Sequence, residues 1–270
     1  MKRIWNKEEC HKNYADSLLK INNFTAIIPA AGKGTRLKYS KPKILYSINN
    51  NTLLDIIYNK LKFLCKKIII VASPDGQHQI YNHINEKNYL NIEVVVQTEP
   101  NGMAEAINTG VKSVLTKNVI IIWGDQIMFS KETIQNCMHL IELDFHYSAI
   151  IPTIKRKNPY IHFIRNKSDK IINILQSREG DLMPDIGETD CGIFTLNKDI
   201  LLKILNNNYF KSIGNKTNEW NFLPLIQKFE KFLGGVCTLI LEDINESIGI
   251  NDKYDVIKIM NIIKENPIGE

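Results

Sequence analysis

Short apolar runs alternate along the first half of the chain with segments in which apolar residues recur every three or four positions. The runs predict strands at 24–29, 67–72, 92–97 and 118–123. The periodic segments predict helices at 52–64, 75–86 and 104–116, with Thr52 as the N-cap of the first. The strand runs lack polar alternation, so helices must cover both faces of the sheet. The pattern therefore predicts a parallel sheet between two layers of helices.

The pattern loosens after about residue 147, where polar turns separate shorter apolar runs. Further strands are predicted at 148–153, 160–165, 171–176, 191–195 and 236–241. Further helices are predicted near 219–230 and at 253–264. We expect this half to form a mixed or antiparallel β extension that supplies the second wall of a cleft. The predicted fold class is α/β, with a Rossmann-like, mostly parallel sheet and helices on both faces.

Residues 1–23 read as a short amphipathic helix ahead of the first strand, with Tyr14, Leu18 and Ile21 on one side. They contain acidic residues and no apolar core, so they are not expected to form a secretory signal. We predict an N-terminal helical extension at 1–23 and a single domain at 24–270.

The composition argues against nucleic-acid-binding and membrane proteins. Among the 270 residues, charges of both signs are interspersed and sum to +5, which suits anionic ligands but gives no stripe for nucleic acid. No apolar run approaches the roughly 20 residues of a membrane helix, so no membrane partner is expected. The five cysteines are scattered and form no Cys-x-x-Cys pair. Free thiols, a reducing cytosol and a cytoplasmic location are therefore predicted.

The most informative segment follows the first strand and reads Ala30-Ala31-Gly32-Lys33-Gly34-Thr35-Arg36, with Lys43 seven residues later. Glycines let backbone N–H groups approach phosphate oxygens, and the two cations suit a polyphosphate. The spacing differs from that of a P-loop. It also lacks the third glycine of the dinucleotide fingerprint, where Leu37 stands.

Two other predicted strands end in polar residues. Gln97 closes one strand, and its amide could match a pyrimidine edge near Gly102; a strand end followed by a turn and a helix start is the alternative, and the glycine-rich loop at 30–36 favours the base contact. Asp125 follows the strand at 118–123, where a carboxylate would face the cleft and suit Mg²⁺, or alternatively cap the next helix.

The segment at 26–43 resembles the signature of the sugar-phosphate nucleotidyltransferase family, especially its N-acetylglucosamine-1-phosphate uridylyltransferase domain. The resemblance implies that Arg36 and Lys43 are catalytic and stabilise the reacting phosphates. It implies nucleotide contacts by Ala30, Ala31, Gly32, Lys33, Gly34, Thr35, Gln97, Gly102 and Met103. It also implies that Asp125 and Asn251 hold Mg²⁺ as the cofactor, with Asp252 as an alternative to Asn251, which on its own could precede a helix as a cap.

The resemblance further implies an acceptor pocket made by Gln176, Asp190, Gly192, Glu219 and Trp220, although Trp220 could equally belong to the core. Two of these depart from the family pattern, since Gln176 replaces a glutamate and Asp190 replaces an asparagine. A carboxylate at position 190 could attract an amine. The acceptor is therefore left open between a sugar 1-phosphate, the default, and an amino-alcohol or amino-acid-derived phosphate.

The predicted reaction transfers a nucleoside monophosphate from UTP or CTP to a phosphorylated small molecule, with release of pyrophosphate and a role in nucleotide-sugar biosynthesis. Residues 24–147 would bind the nucleotide and 148–256 the acceptor, before the terminal helix at 253–264. A non-catalytic nucleotide-sensing relative is the alternative, but such proteins usually lose Arg36, Lys43 or Asp125, and all three are present. The oligomeric state is left open, and an oligomer is allowed.

Overall fold

The computed structural model describes residues 2–14, 20–32, 34–143 and 146–265. Over these residues the strands are β1 (Ile4–Asn6), β2 (Phe24–Pro29), β3 (Ser47–Ile48), β4 (Asn51–Thr52), β5 (Lys67–Ala72), β6 (Ile92–Val96), β7 (Asn118–Ile122), β8 (Ala149–Lys157), β9 (Ile161–Arg165), β10 (Ile171–Gln176), β11 (Ile186–Asp190), β12 (Ile193–Asn197) and β13 (Val236–Ile240). The α-helices are α1 (Lys7–Tyr14), α2 (Leu53–Leu61), α3 (Gln77–Glu86), α4 (Met103–Val111), α5 (Lys131–Glu142), α6 (Lys198–Leu205), α7 (Ile226–Phe229) and α8 (Lys253–Glu265). None of the helices in these ranges is long and apolar enough to cross a membrane.

The central sheet has the strand order β1-β13-β8-β12-β7-β2-β5-β6. Each neighbouring pair along this path is parallel except the two pairs made by β12, which runs antiparallel between β7 and β8. Ala26 and Ile28 pack on one face of the sheet, with side chains of α2 and α5, while Ile27 packs on the other face with those of α4. The predicted Rossmann-like, mostly parallel sheet with helices on both faces is therefore confirmed.

Local sequence explains how two of the helices begin and pack. Thr52 caps α2 as predicted, because its side chain accepts the Asp55 N–H while the Asp55 carboxylate accepts the Thr52 N–H. In α4, a Cβ at Gly110 would lie 2.8 Å from Ile27 and 2.9 Å from Val71, so glycine lets this helix approach the sheet closely.

The second wall of the cleft is built on β8, whose C-terminal half extends beyond the part that pairs with β13. There β8 pairs antiparallel with β11, from Asp190 opposite Thr153 to Gly187 opposite Arg156. The strands β9 and β10 form an antiparallel hairpin beside β11. The predicted mixed or antiparallel extension is thus present, and it stands next to the carboxyl end of β7.

The N-terminal extension predicted at 1–23 is helical only in part. Ile4 to Asn6 form β1, which adds a parallel edge strand to β13 and buries Trp5, and only then does α1 begin. Of the residues expected on one helical side, Leu18 lies outside the described residues and Ile21 is exposed in a 3-10 turn. A three-residue strand is too short to leave a periodic signal, and its partner lies at the far end of the chain.

The predicted helix near 219–230 was also wrong in extent. Pro224 begins a 3-10 turn at Leu223–Leu225, and the α-helix that follows spans only Ile226–Phe229. Besides β1, five elements were not predicted: α5, α6, β3, β4 and β11. The buried face of α5 includes Thr133 and Asn136, which weakens the apolar periodicity of that segment.

The N-terminal helix is connected to the segment before α8 by Glu246, which is 3% exposed. Its carboxylate accepts hydrogen bonds from the Ser130 N–H at 2.9 Å and the Thr133 hydroxyl at 2.6 Å, both in the first turn of α5. It also pairs with Lys7 Nζ of α1 at 2.8 Å. One buried carboxylate therefore holds together α1, α5 and the chain that leads to Asn251.

Candidate active site

A cleft of about 600 Å³ opens between the carboxyl ends of the parallel strands and the second wall. On the sheet side it is lined by Arg36, Lys43, Met103, Asp125 and Asn251. On the wall side it is lined by Gln176 and Asp190. Segments that are far apart in sequence thus meet at one site.

A second cleft, of about 630 Å³, lies beside α3 and contains none of the predicted site residues. Its most buried ionisable group, Asp55, accepts hydrogen bonds from His83 at 2.6 Å, Tyr89 at 2.7 Å and the Thr52 N–H at 2.8 Å. The carboxylate is therefore fully engaged in holding α2, α3 and the following turn together. We take the first cleft as the candidate active site.

Lys43 and Asp125 form the centre of the sheet side. Lys43 Nζ lies 2.6 Å from Asp125 Oδ2, and the two side chains are 18% and 24% exposed. Gly34 has φ of +58°, and a Cβ there would lie 3.1 Å from Lys43 Cβ, so the glycine turn packs directly against this lysine. The turn, the cation and the carboxylate form one compact unit that solvent can still reach.

Arg36 and Asn251 meet beside this pair. Arg36 Nη2 donates to Asn251 Oδ1 at 3.4 Å. The segment that carries Asn251 is held against Asp125, because the Ile250 N–H donates to the Asp125 backbone carbonyl at 3.0 Å. The structure therefore brings both predicted cations and both predicted metal ligands to the same place.

The donor set of Asp125 and Asn251 fits Mg²⁺. Both offer hard oxygen atoms, and Mg²⁺ is usually held by one or two protein ligands together with substrate phosphates. No cluster of three or more His, Cys, Asp or Glu side chains suited to a metal occurs in the described part of the chain. The alternative ligand, Asp252, accepts the Tyr254 N–H at 2.8 Å and caps α8, so Asn251 is the better candidate.

Gln97 and Gly102, predicted to contact the base, are in contact with each other. Gln97 is 5% exposed, and its Nε2 donates to the Gly102 carbonyl at 3.2 Å. Gly102 has φ of +101°, and a Cβ there would lie 2.7 Å from the Trp220 carbonyl oxygen. Because the Trp220 N–H also donates to the Asn101 carbonyl at 2.8 Å, this loop and the chain at 219–221 form one packed unit.

The remaining predicted nucleotide contacts belong to the glycine turn. Ala30 is 7% exposed at the end of β2, Ala31 is partly exposed, and Gly32 is exposed with open space where a Cβ would be. Lys33 and the side chain of Thr35 lie outside the described residues, so the structure says nothing of their contacts.

On the wall side, Asp190 stands at the end of β11 and points back to the bend before β12. Its Oδ1 accepts the Gly192 N–H at 2.8 Å. Burial raises the pKa of Asp190 to about 6, since the charge of Asp125 adds to the desolvation and outweighs the effect of that hydrogen bond. Gly192 has φ of +72°, and a Cβ there would lie 2.9 Å from Trp123, so this bend requires glycine.

The raised pKa of Asp190 predicts how stability depends on pH. Its ordinary pKa is 3.8, so between about pH 4 and pH 6 the folded chain keeps a proton that the unfolded chain releases, and stability falls as pH rises through this window. We expect Asp190→Asn to raise the melting temperature at pH 7.5 and to change it little at pH 4. The exposed Asp185→Asn is the control; an equal effect of both variants, or a gain only at low pH, would contradict the prediction.

Two predicted acceptor residues do not line the cleft with their side chains. The Glu219 carboxylate pairs with Arg178 at 2.5 Å. The Trp220 ring is 8% exposed and packs in the hydrophobic core with Phe222. We therefore propose no acceptor contact for either side chain. The Trp220 backbone nevertheless supports the loop at Gly102.

Several cleft residues were not predicted from the sequence, above all Arg156, Tyr160 and Arg178. The strand that carries Arg156 was predicted to end at 153, whereas β8 continues to Lys157. The signal available in the sequence was the basic run at 155–157, directly after an apolar strand.

Comparison with known protein families gives a match over more than half of the chain. The sequence profile of the MobA-like NTP transferase domain matches residues 26–182. This range contains the glycine turn, both cations, Asp125 and Gln176.

Similar curated sequences include two proteins named bifunctional protein GlmU. The one from Streptococcus uberis is 27% identical over 248 residues, which cover 88% of this chain and 52% of the relative. The one from Ruthia magnifica is 28% identical over 248 residues, which cover 91% of this chain and 53% of the relative. The chain thus spans about half the length of these relatives.

Similar solved structures share the fold. One is 4-diphosphocytidyl-2C-methyl-D-erythritol synthase from Anaerococcus prevotii, with a TM-score of 0.65, 19% identity, and coverage of 91% of this chain and 98% of that one. Another is a putative glucose-1-phosphate thymidylyltransferase from Bacillus anthracis, with a TM-score of 0.69, 15% identity, and coverage of 92% and 98%.

Proposed function

Because the chain belongs to the family of MobA-like NTP transferase domains, we propose that it transfers a nucleoside monophosphate from a pyrimidine NTP to a phosphorylated small molecule and releases pyrophosphate. One observation carries the proposal most directly. Lys43 lies 2.6 Å from Asp125, and Arg36 lies 3.4 Å from Asn251, at the carboxyl edge of the sheet. Two cations and two oxygen ligands around a glycine turn are what a reacting polyphosphate requires.

The reaction needs little proton chemistry from the protein. An oxygen of the acceptor phosphate forms a bond to the α-phosphorus, and the bond from that phosphorus to the bridging oxygen of pyrophosphate breaks. The attacking oxygen is already anionic, so no general base is required. Catalysis is then mainly positioning and charge neutralisation.

Arg36 and Lys43 perform the neutralisation in this proposal. Lys43, fixed by Asp125 and by the packing of Gly34, faces the α-phosphoryl group, and Arg36 faces the departing pyrophosphate. Asp125 and Asn251 would hold Mg²⁺, which, when bound, supplies further positive charge to the phosphates. Gln97 and Gly102 bind a pyrimidine base, so UTP and CTP are the proposed donors.

A sugar 1-phosphate is the default acceptor. It agrees with the resemblance to proteins named GlmU and with a role in nucleotide-sugar biosynthesis. A phosphate that carries an amine is a second candidate, because Asp190 places a partly buried carboxylate on the acceptor wall and a carboxylate favours a cation. The five cysteines, all buried and free, suit the reducing cytoplasm that we propose as the location.

A pyrophosphate-release screen tests the proposal, with each of four NTPs against a panel of phosphorylated sugars and amines in the presence of Mg²⁺. We expect release with UTP or CTP and one acceptor class, and loss of that activity in Asp125→Asn. The control variant is Asp199→Asn, whose side chain is 76% exposed and far from the cleft. Absence of release with every combination, or full activity of Asp125→Asn, would refute the proposed function.

A further inference from the structure

The five arginines of the chain fall into two groups. Three have a carboxylate partner in the structure: Arg3 with Glu230, Arg165 with Glu188 and Arg178 with Glu219. For Arg36 and Arg156 no carboxylate lies within ion-pair distance among the described residues, and both line the cleft. In the proposed function Arg36 contacts the triphosphate, whereas Arg156 has no role.

Arg156 combines partial burial with an unpaired donor. It lies near the end of β8 and is partly buried, and its Nε is buried without a hydrogen-bond partner. Its register partner on β11 is Gly187, and the His162 ring packs against that glycine, where an added Cβ would lie 2.6 Å from His162 Nδ1. An always-charged group whose donors lack acceptors is costly, and Arg156 therefore marks a place in the cleft where a ligand can supply an acceptor to the guanidinium.

The position of Arg156 distinguishes it from the groups that meet the reacting phosphates. Asp190, which is close enough to Asp125 to feel its charge, is paired with Thr153. Arg156 is three residues further along β8, or about 10 Å along the strand at 3.3 Å per residue. The backbone of Arg156 is therefore displaced from that of Thr153, and we take a ligand group bound by Arg156 to lie away from the phosphate that reacts.

We propose that Arg156 is a specificity-determining residue that binds a carboxylate on the acceptor, at the end of the molecule remote from its phosphate. The inference rests on the proposed function and narrows its substrate class to phosphate esters or sugar 1-phosphates that carry an acid group. A guanidinium presents two parallel N–H donors that match the two oxygens of a carboxylate.

The test uses pairs of acceptors that differ in a carboxylate. Suitable pairs are O-phosphoserine with phosphoethanolamine, and glucuronic acid 1-phosphate with glucose 1-phosphate. The wild-type protein should use, or bind in a calorimetric titration, the acidic member of one pair in preference to its partner. Arg156→Gln should raise the KM or Kd for that acidic member by about 10- to 100-fold. It should change kcat and the KM for the NTP by no more than about twofold, because a remote contact contributes equally to ground and transition states.

Two further variants separate recognition from a general effect of charge. Lys155→Gln removes an exposed positive charge from the adjacent position of the same strand and should leave the preference unchanged. Arg156→Lys should bind the acidic acceptor more tightly than Arg156→Gln does. It keeps the positive charge but lacks the two parallel N–H donors of a guanidinium.

The outcomes distinguish this inference from the proposed function. No pyrophosphate release with any NTP and acceptor would refute the proposed function, while the titration would still test Arg156. Equal use or binding of both members of every pair by the wild-type protein would refute the role of Arg156. So would an unchanged preference in Arg156→Gln, or a rise confined to the KM for the NTP, which would assign this arginine to the nucleotide instead.

Discussion

Replacing Lys43 with alanine is expected to lower the rate of pyrophosphate release at least about a hundredfold, or about 2.7 kcal/mol of transition-state stabilisation, by analogy with the loss of one oxyanion donor. The ammonium group lies at the meeting point of the glycine turn and Asp125, where two anionic substrates must approach each other. The side chain is only partly buried, so we expect the circular dichroism spectrum and the melting temperature to change little. The measurement is kcat for the best donor and acceptor found in the screen.

Lys41 provides the matched control, because it is an exposed lysine on the same loop, two residues before Lys43. Lys41→Ala removes the same charge from the loop and should retain near-normal turnover. A near-normal rate in Lys43→Ala, or an equal loss in both variants, would show that the position beside Asp125 has no special role.

The largest expected effect on stability comes from Glu246. Glu246→Ala should lower the free energy of unfolding by about 3–5 kcal/mol, the usual cost of removing one partner from a buried ion pair. The change leaves the Ser130 N–H, the Thr133 hydroxyl and the Lys7 ammonium without their acceptor. Chemical denaturation measures this directly, and the melting temperature should fall by about 6 °C or more.

The control for Glu246 is Glu242→Ala, which removes an exposed carboxylate from the same stretch of chain and should change stability by less than about 0.5 kcal/mol. If Glu246→Ala unfolds at the same denaturant concentration as the wild type, the hydrogen bonds of this carboxylate do not hold α1, α5 and the following segment together.

The sheet side of the site could be predicted from sequence because it depends on strand ends. In a parallel sheet the residues that follow each strand meet at one edge, so Gln97 and Asp125 needed only correct strand positions, whereas Lys43 was assigned from the motif at 26–43. The strands at 24–29 and 67–72 have the predicted bounds, since their side chains are almost all buried and their apolar runs are continuous.

The second wall was harder to predict because its elements depend on tertiary contacts. The outer half of β8 is polar and becomes a strand by pairing with β11, so Arg156 was not recognised as a cleft residue. Trp220 was assigned to the acceptor pocket by its neighbours in sequence, whereas packing buries its ring in the core. Burial of a large aromatic side chain is decided by contacts that one sequence does not reveal.

The pairing of Ile4 with Thr238 has a consequence for how the chain is made. The ribosome synthesises the chain from its N-terminus, yet the first strand cannot dock until the residues of β13 have emerged. Pairings between such distant positions are also slow to form, because the entropy cost of closing a long loop comes before the stabilisation by the contacts. Since Glu246 and Asn251 come later still, a nascent chain carries the glycine turn and Asp125 before Asn251 is available, so the proposed catalytic centre can form only in the last stage of folding.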